Sequence, residues 1–94
     1  MIKSFKHKGL EIYFLTGNKK GIQAQHADKL SRILIVLNKM ATLKDLSSPI
    51  YRLHPLTGDL KGQWSVTVHA NWRVTFEFDE TTGNVYIVDY QDYH

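Results

Sequence analysis

Ninety-four residues, 43% of them apolar and 22% charged, provide for one hydrophobic core and exclude a multidomain enzyme. No apolar run exceeds five residues, against the roughly twenty that cross a bilayer, and the opening Met1-Ile2-Lys3-Ser4-Phe5 lacks a secretory pattern, so a soluble cytoplasmic protein with no membrane contact is expected. The lack of cysteine excludes disulfides, thiol nucleophiles and thiolate metal sites, and the five histidines show no metal-ligand spacing, so no cofactor or metal is expected. The net charge of +3 is unevenly placed: residues 1–61 hold eleven Lys and Arg against four acids, and residues 62–94 hold Arg73 against five. The basic part suits a polyanion such as nucleic acid, although solvated lysines account for it nearly as well.

In chain order, residues 2–5 predict a short strand. Residues 6–16 come next as a helix carrying Leu10, Ile12, Tyr13 and Phe14, with Gly17-Asn18 as its stop. Over residues 23–41, Ala27, Leu30, Leu34, Leu37 and Ala41 share one face, flanked by Ile33 and Met40, which predicts the helix that carries the core. Ser47-Ser48-Pro49 separates the helical half from the rest of the chain. A strand is predicted over 51–56, then a loop at Thr57-Gly58-Asp59. Trp64, Val66, Val68 and Ala70 alternate with Ser65, Thr67, His69 and Asn71, and Trp72, Val74, Phe76 and Phe78 alternate with Arg73, Thr75, Glu77 and Asp79. A turn at residues 80–84 and a strand over 85–90 complete a hairpin. The chain reads as one α+β domain over residues 1–94, an N-terminal strand and two helices packed on a mainly antiparallel sheet of four to five strands. The face away from the helices is expected to display Ser65, Thr67, His69 and Arg73.

Three features on this frame bear on chemistry. Arg52 and His54 fall at i and i+2 of a predicted strand, on one side. Arg73 lies mid-strand, where its guanidinium can take a phosphate with two parallel bonds or pair with Glu77 or Asp89. The chain closes on Asp89-Tyr90-Gln91-Asp92-Tyr93-His94, placing an acid, a phenol and an imidazole just after a strand. Together these are the groups that RNA cleavage needs: a base for the ribose 2′-OH, a cation for the charge on phosphorus oxygens, and an acid for the leaving 5′-oxygen. An imidazole serves either proton transfer near neutral pH.

The opening Met1-Ile2-Lys3-Ser4-Phe5-Lys6-His7-Lys8-Gly9-Leu10, the stretch Leu53-His54-Pro55-Leu56-x-Gly58-Asp59, Trp64-Ser65, Asn71-Trp72-Arg73-Val74-Thr75-Phe76 and the closing Val88-Asp89-Tyr90-x-Asp92-Tyr93-His94 resemble the HigB toxins of the RelE/ParE superfamily. That resemblance covers essentially the whole chain and implies a compact microbial-RNase-like fold. It also implies a ribosome-dependent mRNA endonuclease that cuts messenger in the A site of the small subunit. A HigA-type helix-turn-helix antitoxin would hold it inactive, with operator DNA reached only through that antitoxin. Carried over by position, the catalytic residues are His54, Arg73, Asp92, Tyr93 and His94. Thr57 stands where many relatives have lysine, so the phosphate-binding cation is either missing or supplied by Arg52, Arg73 or Lys61. Lys6, Lys8, Lys19, Lys20 and Lys29 are the expected contacts to ribosomal RNA. Two other readings stay open: a ParE-like poison of DNA gyrase with the same fold, and an RNA-binding domain that stacks bases on Trp64 and Trp72.

Overall fold

The apolar stripes of the first half fold as helices, each shorter than its periodicity. In the computed structural model, which describes residues 1–92, α1 spans Lys8–Thr16 and α2 spans Ala27–Lys39. Helix α1 starts two residues later than expected because His7 caps it: Nδ1 of the imidazole accepts the Leu10 N–H at 2.9 Å. It stops as expected at Gly17, whose φ of 81° lets its N–H turn back to the Tyr13 carbonyl at 2.8 Å. The helix expected over 23–41 loses both ends. Ala24–His26 form a 3-10 turn, and Met40 is already extended.

Leu30, Ile33, Leu34 and Leu37 of α2 are buried in one cluster with Val66, Val74, Phe76, Val85 and Val88 of the sheet. Each such side chain contributes about 1.5–3 kcal/mol, so this stripe is what holds the helices to the sheet. Only Leu10 of α1 is fully buried, and the Tyr13 hydroxyl donates to the Ala27 carbonyl at 2.9 Å. Where the chain returns toward α2 it crosses the start of α1, and a Cβ on Gly9 or on Gly21 would come within 2.5 Å of the other's backbone. Glycine at both positions permits that crossing.

The sheet has four antiparallel strands in the order β1 (His54–Pro55), β2 (Gln63–His69), β3 (Trp72–Asp79) and β4 (Asn84–Asp92), and β3 and β4 form the expected hairpin. The strand expected over 51–56 shrinks to two residues because Arg52 adopts φ 47°, which interrupts the extended backbone. The opening strand is reduced to two parallel bridges, Ile2 with Val85 and Phe5 with Val88. The short 3-10 turns Leu43–Leu46 and Gly58–Leu60 carry no periodic signal and were not expected.

Two bulges shape the sheet. In β2 the pairing moves from Thr67–Arg73 to His69–Trp72, so one extra residue is accommodated at Val68. In β4 it moves from Thr75–Asp89 to Glu77–Tyr86, and within the extra stretch Ile87 sits at φ 50°, a strained position for a β-branched residue. Ser4 holds it there: its Oγ accepts the Ile87 N–H at 2.8 Å and its carbonyl accepts the Val88 N–H at 3.1 Å.

Candidate functional site

The pairing registers place the candidate residues on the sheet. His54 is opposite Ser65, Ser65 opposite Thr75, and Thr75 opposite Asp89, which makes one polar row across four strands. Thr67, Arg73 and Gln91 form the next row on the same face. The face packed on the helices holds Trp64, Val66, Val74, Phe76 and Tyr90. His54 and Arg73 therefore share the surface away from the helices, with Cα atoms about 12 Å apart from strand spacing and rise. Side chains of that length can close on one phosphodiester from two sides.

His54 is exposed, and its Nδ1 lies 2.9 Å from the Arg52 carbonyl. A carbonyl only accepts, so Nδ1 carries a proton, and in the neutral ring the lone pair belongs to Nε2. The left-handed turn at Arg52 is what presents that carbonyl. It also corrects the expectation that Arg52 and His54 lie side by side on a strand, since the interaction runs through the Arg52 backbone.

Arg73 is half-buried and pinned through Nη1 to the Ala70 carbonyl at 2.8 Å, with the Trp72 carbonyl at 3.4 Å. Among the described residues no ion pair joins it to Glu77 or Asp89. Among the described residues Nη2 and Nε make no hydrogen bond, and either can donate to a phosphate. The expected display of Ser65 and His69 on this face is corrected in both cases. Ser65 is fully buried, its Oγ without a hydrogen-bond partner among the described residues. The bulge at Val68 sets His69 opposite Trp72, its ring 5.7 Å from that of His26.

The strand end brings Asp92 opposite Trp72, one step beyond the Arg73–Gln91 pair. Alternation sends the Asp92 side chain to the Trp72 side of the sheet rather than to the Arg73 side. Tyr93 and His94 lie outside the described residues. Gln91, not singled out by the sequence, donates through Nε2 to Thr75 Oγ1 at 3.2 Å and forms part of the floor. Both tryptophans are half-buried and packed against the core, which removes the stacking platform they would offer to bases.

Of the basic residues, Lys6, Lys8, Lys19, Lys20, Arg52 and Lys61 are exposed. Lys29 is committed to the fold, its Nζ 3.4 Å from the Ile50 carbonyl and 5.9 Å from the centre of the Tyr51 ring. Lys8 lies 3.9 Å from Glu11, an exposed pair of little energetic weight. Grooves of about 260 and 370 Å³ open beside Tyr13 and Leu34 and beside Leu43 and Phe78. The candidate site is an open face suited to an extended polymer. No helix among the described residues is long and apolar enough to cross a membrane.

Known proteins match over the full length. A protein of Proteus vulgaris named Endoribonuclease HigB is 48% identical over 94 residues, all of both chains. The YoeB/ParE toxin of Agrobacterium tumefaciens superposes with a TM-score of 0.65 at 14% identity, covering 99% of this chain and 98% of that one. The Staphylococcus aureus YoeB–YefM complex superposes at 0.62 with 19% identity, covering 100% and 95%. At such identities the two structures establish the fold alone: two helices on a four-stranded antiparallel sheet. A family model described as the RelE-like toxin of type II toxin-antitoxin system HigB matches residues 3–94, and with that match the chain belongs to the HigB-like toxin family.

Proposed function

We propose that the protein is an endoribonuclease toxin that cuts messenger RNA in the A site of the small ribosomal subunit, so arresting translation, and that side chains alone carry the proton transfers. The observation that carries the reading is the exposed Nε2 lone pair of His54, fixed by the Arg52 carbonyl, on the same open face as the Arg73 guanidinium. The 48% identity to a protein named an endoribonuclease supports it.

His54 Nε2 accepts the proton of a ribose 2′-OH as that oxygen attacks phosphorus. Arg73 offsets the charge that grows on the phosphoryl oxygens. The P–O5′ bond breaks, and His94 supplies the proton to the leaving oxygen, with Tyr93 positioning base or ribose. The products are a 2′,3′-cyclic phosphate and a 5′-hydroxyl. Thr57, in place of a lysine, leaves Arg73 as the principal phosphate cation, assisted by Arg52 and Lys61 at the β1 end. Lys6, Lys8, Lys19 and Lys20 engage ribosomal RNA. A HigA-type antitoxin with a helix-turn-helix domain holds the toxin inactive and links it to operator DNA.

Purified protein added to a translating extract is expected to produce messenger ends inside codons, only on ribosome-engaged RNA. Intact messenger together with inhibited DNA gyrase would replace this reading by that of a gyrase poison.

A further inference from the structure

Behind the open face, five rings from five parts of the chain converge. Tyr90 of β4 stacks against Trp72 of β3 at 4.6 Å between centroids. The edge of His7, ahead of α1, meets Tyr90 at 5.3 Å, and His26, ahead of α2, lies 5.4 Å from Trp72 and 5.7 Å from His69 of β2. At the centre, Tyr90 Oη and His26 Nδ1 are 2.6 Å apart, joining positions 64 residues distant in sequence. The Gln23 N–H donates to the same Oη at 3.4 Å. Were Nδ1 the donor, the phenol proton and Nε2 would both be left without a partner among the described residues, so the phenol is assigned as the donor to Nδ1. The imidazole proton then sits on Nε2, which is buried and has no partner among the described residues.

His26 is only 2% exposed, and burial first, with His69 second, pushes its pKa below the usual 6.5 and so favours the neutral form. Its Nε2–H, without a partner among the described residues, opposes folding, and an apolar pair at positions 26 and 90 would fill the space without that penalty. Stability alone does not call for an imidazole here. What the imidazole does supply is one well-directed acceptor for the Tyr90 hydroxyl. Tyr90 precedes Gln91, the partner of Arg73 across the ladder, and Trp72 precedes Arg73 itself. Near its end a strand is prone to fraying, and the cluster fixes both strands there.

We infer that His26 is a positioning residue for RNA cleavage, acting through the Tyr90 hydroxyl to hold the start of β3 and the end of β4, and with them Arg73 and Gln91, in register. This rests on the cleavage reading above. The test compares wild type with the Tyr90→Phe, His26→Ala and His26→Asn variants on ribosome-engaged messenger, with amide NMR spectra of each. Tyr90→Phe removes one hydroxyl and is expected to lower kcat about tenfold, the worth of one buried hydrogen bond spent on the transition state, with KM unchanged. His26→Ala is expected to match it, the double variant to be no worse than either, and His26→Asn, whose carbonyl can accept the same proton, to recover most of the rate.

A folded Tyr90→Phe protein with wild-type kcat would overturn the inference, and so would a rise in KM alone. If His26→Ala does not fold, Tyr90→Phe still decides. If wild type itself cuts no RNA, the cleavage reading fails, and the spectra test the positioning separately. Shifts at the Arg73, Gln91 and Asp92 amides in Tyr90→Phe support it, and unchanged amides there contradict it.

Discussion

At the scale of single residues, the proposed cleavage turns on His54 and Arg73, and the role proposed for each follows from the atoms its nitrogens already touch. The imidazole gives Nδ1–H to the Arg52 carbonyl, and Nε2 makes no hydrogen bond among the described residues, which suits the proposed general base. Because His54 is exposed and its one described hydrogen bond is local, His54→Ala is expected to lower messenger cleavage by about 100- to 10,000-fold with an unchanged melting temperature. A fall in melting temperature matching the loss of activity would assign the residue to the fold instead. Arg73 differs, since one of its nitrogens holds the β2–β3 loop through the Ala70 carbonyl. Arg73→Ala is therefore expected to lose activity and also about 1 kcal/mol of stability, as read from urea midpoints.

At the scale of elements, what could be read in the sequence was what repeats. Alternation over Trp64–Ala70 and Trp72–Asp79 gave the two central strands, and the stripe from Leu30 to Leu37 gave the helix that covers them. What could not be read depends on a contact remote in sequence or on a single backbone angle. The bulge at Val68, which turns His69 from the open face, leaves no mark on the alternation. Neither does the left-handed turn at Arg52 that shortens β1. His26 looked like one isolated histidine, because its partner Tyr90 lies 64 residues away. Motifs nominated the candidate residues, while the hydrogen bond of His54 to Arg52 and the side of the sheet taken by Asp92 required coordinates. The Gly9–Gly21 crossing belongs to this scale too. Gly9→Ala and Gly21→Ala are each expected to cost about 1–3 kcal/mol in urea unfolding, because the atoms a new Cβ meets are backbone and cannot turn aside. A cost near zero would mean that the crossing relaxes freely.

At the scale of the whole molecule, charge and proton linkage govern behaviour. Exposed Lys19 and Lys20 lie in the loop between the helices, within the basic part of the chain. Replacing both with Glu is expected to weaken ribosome binding and to flatten its dependence on salt, and an unchanged salt slope would remove this loop from the interface. Stability should also vary with pH. His26 is held below its ordinary value of 6.5, by burial first and by His69 second. Between its native value and 6.5 the unfolded chain binds more protons, so stability falls as the pH drops through that window and levels off below it. Burial raises Tyr90 above its ordinary 10.0, opposed by the hydrogen bond from Gln23, so stability falls again as the pH climbs past 10. Urea midpoints across this range should form a plateau with two shoulders, and His26→Asn should flatten the acid one.

The most direct measurement of the central claim is the chemistry of the cut ends. The attack directed by His54 and Arg73 requires messenger fragments from a translating extract to carry 2′,3′-cyclic phosphates and 5′-hydroxyls, and requires those fragments to vanish in a folded His54→Ala protein. Fragments bearing 5′-phosphates, or undiminished cutting by His54→Ala, would contradict it.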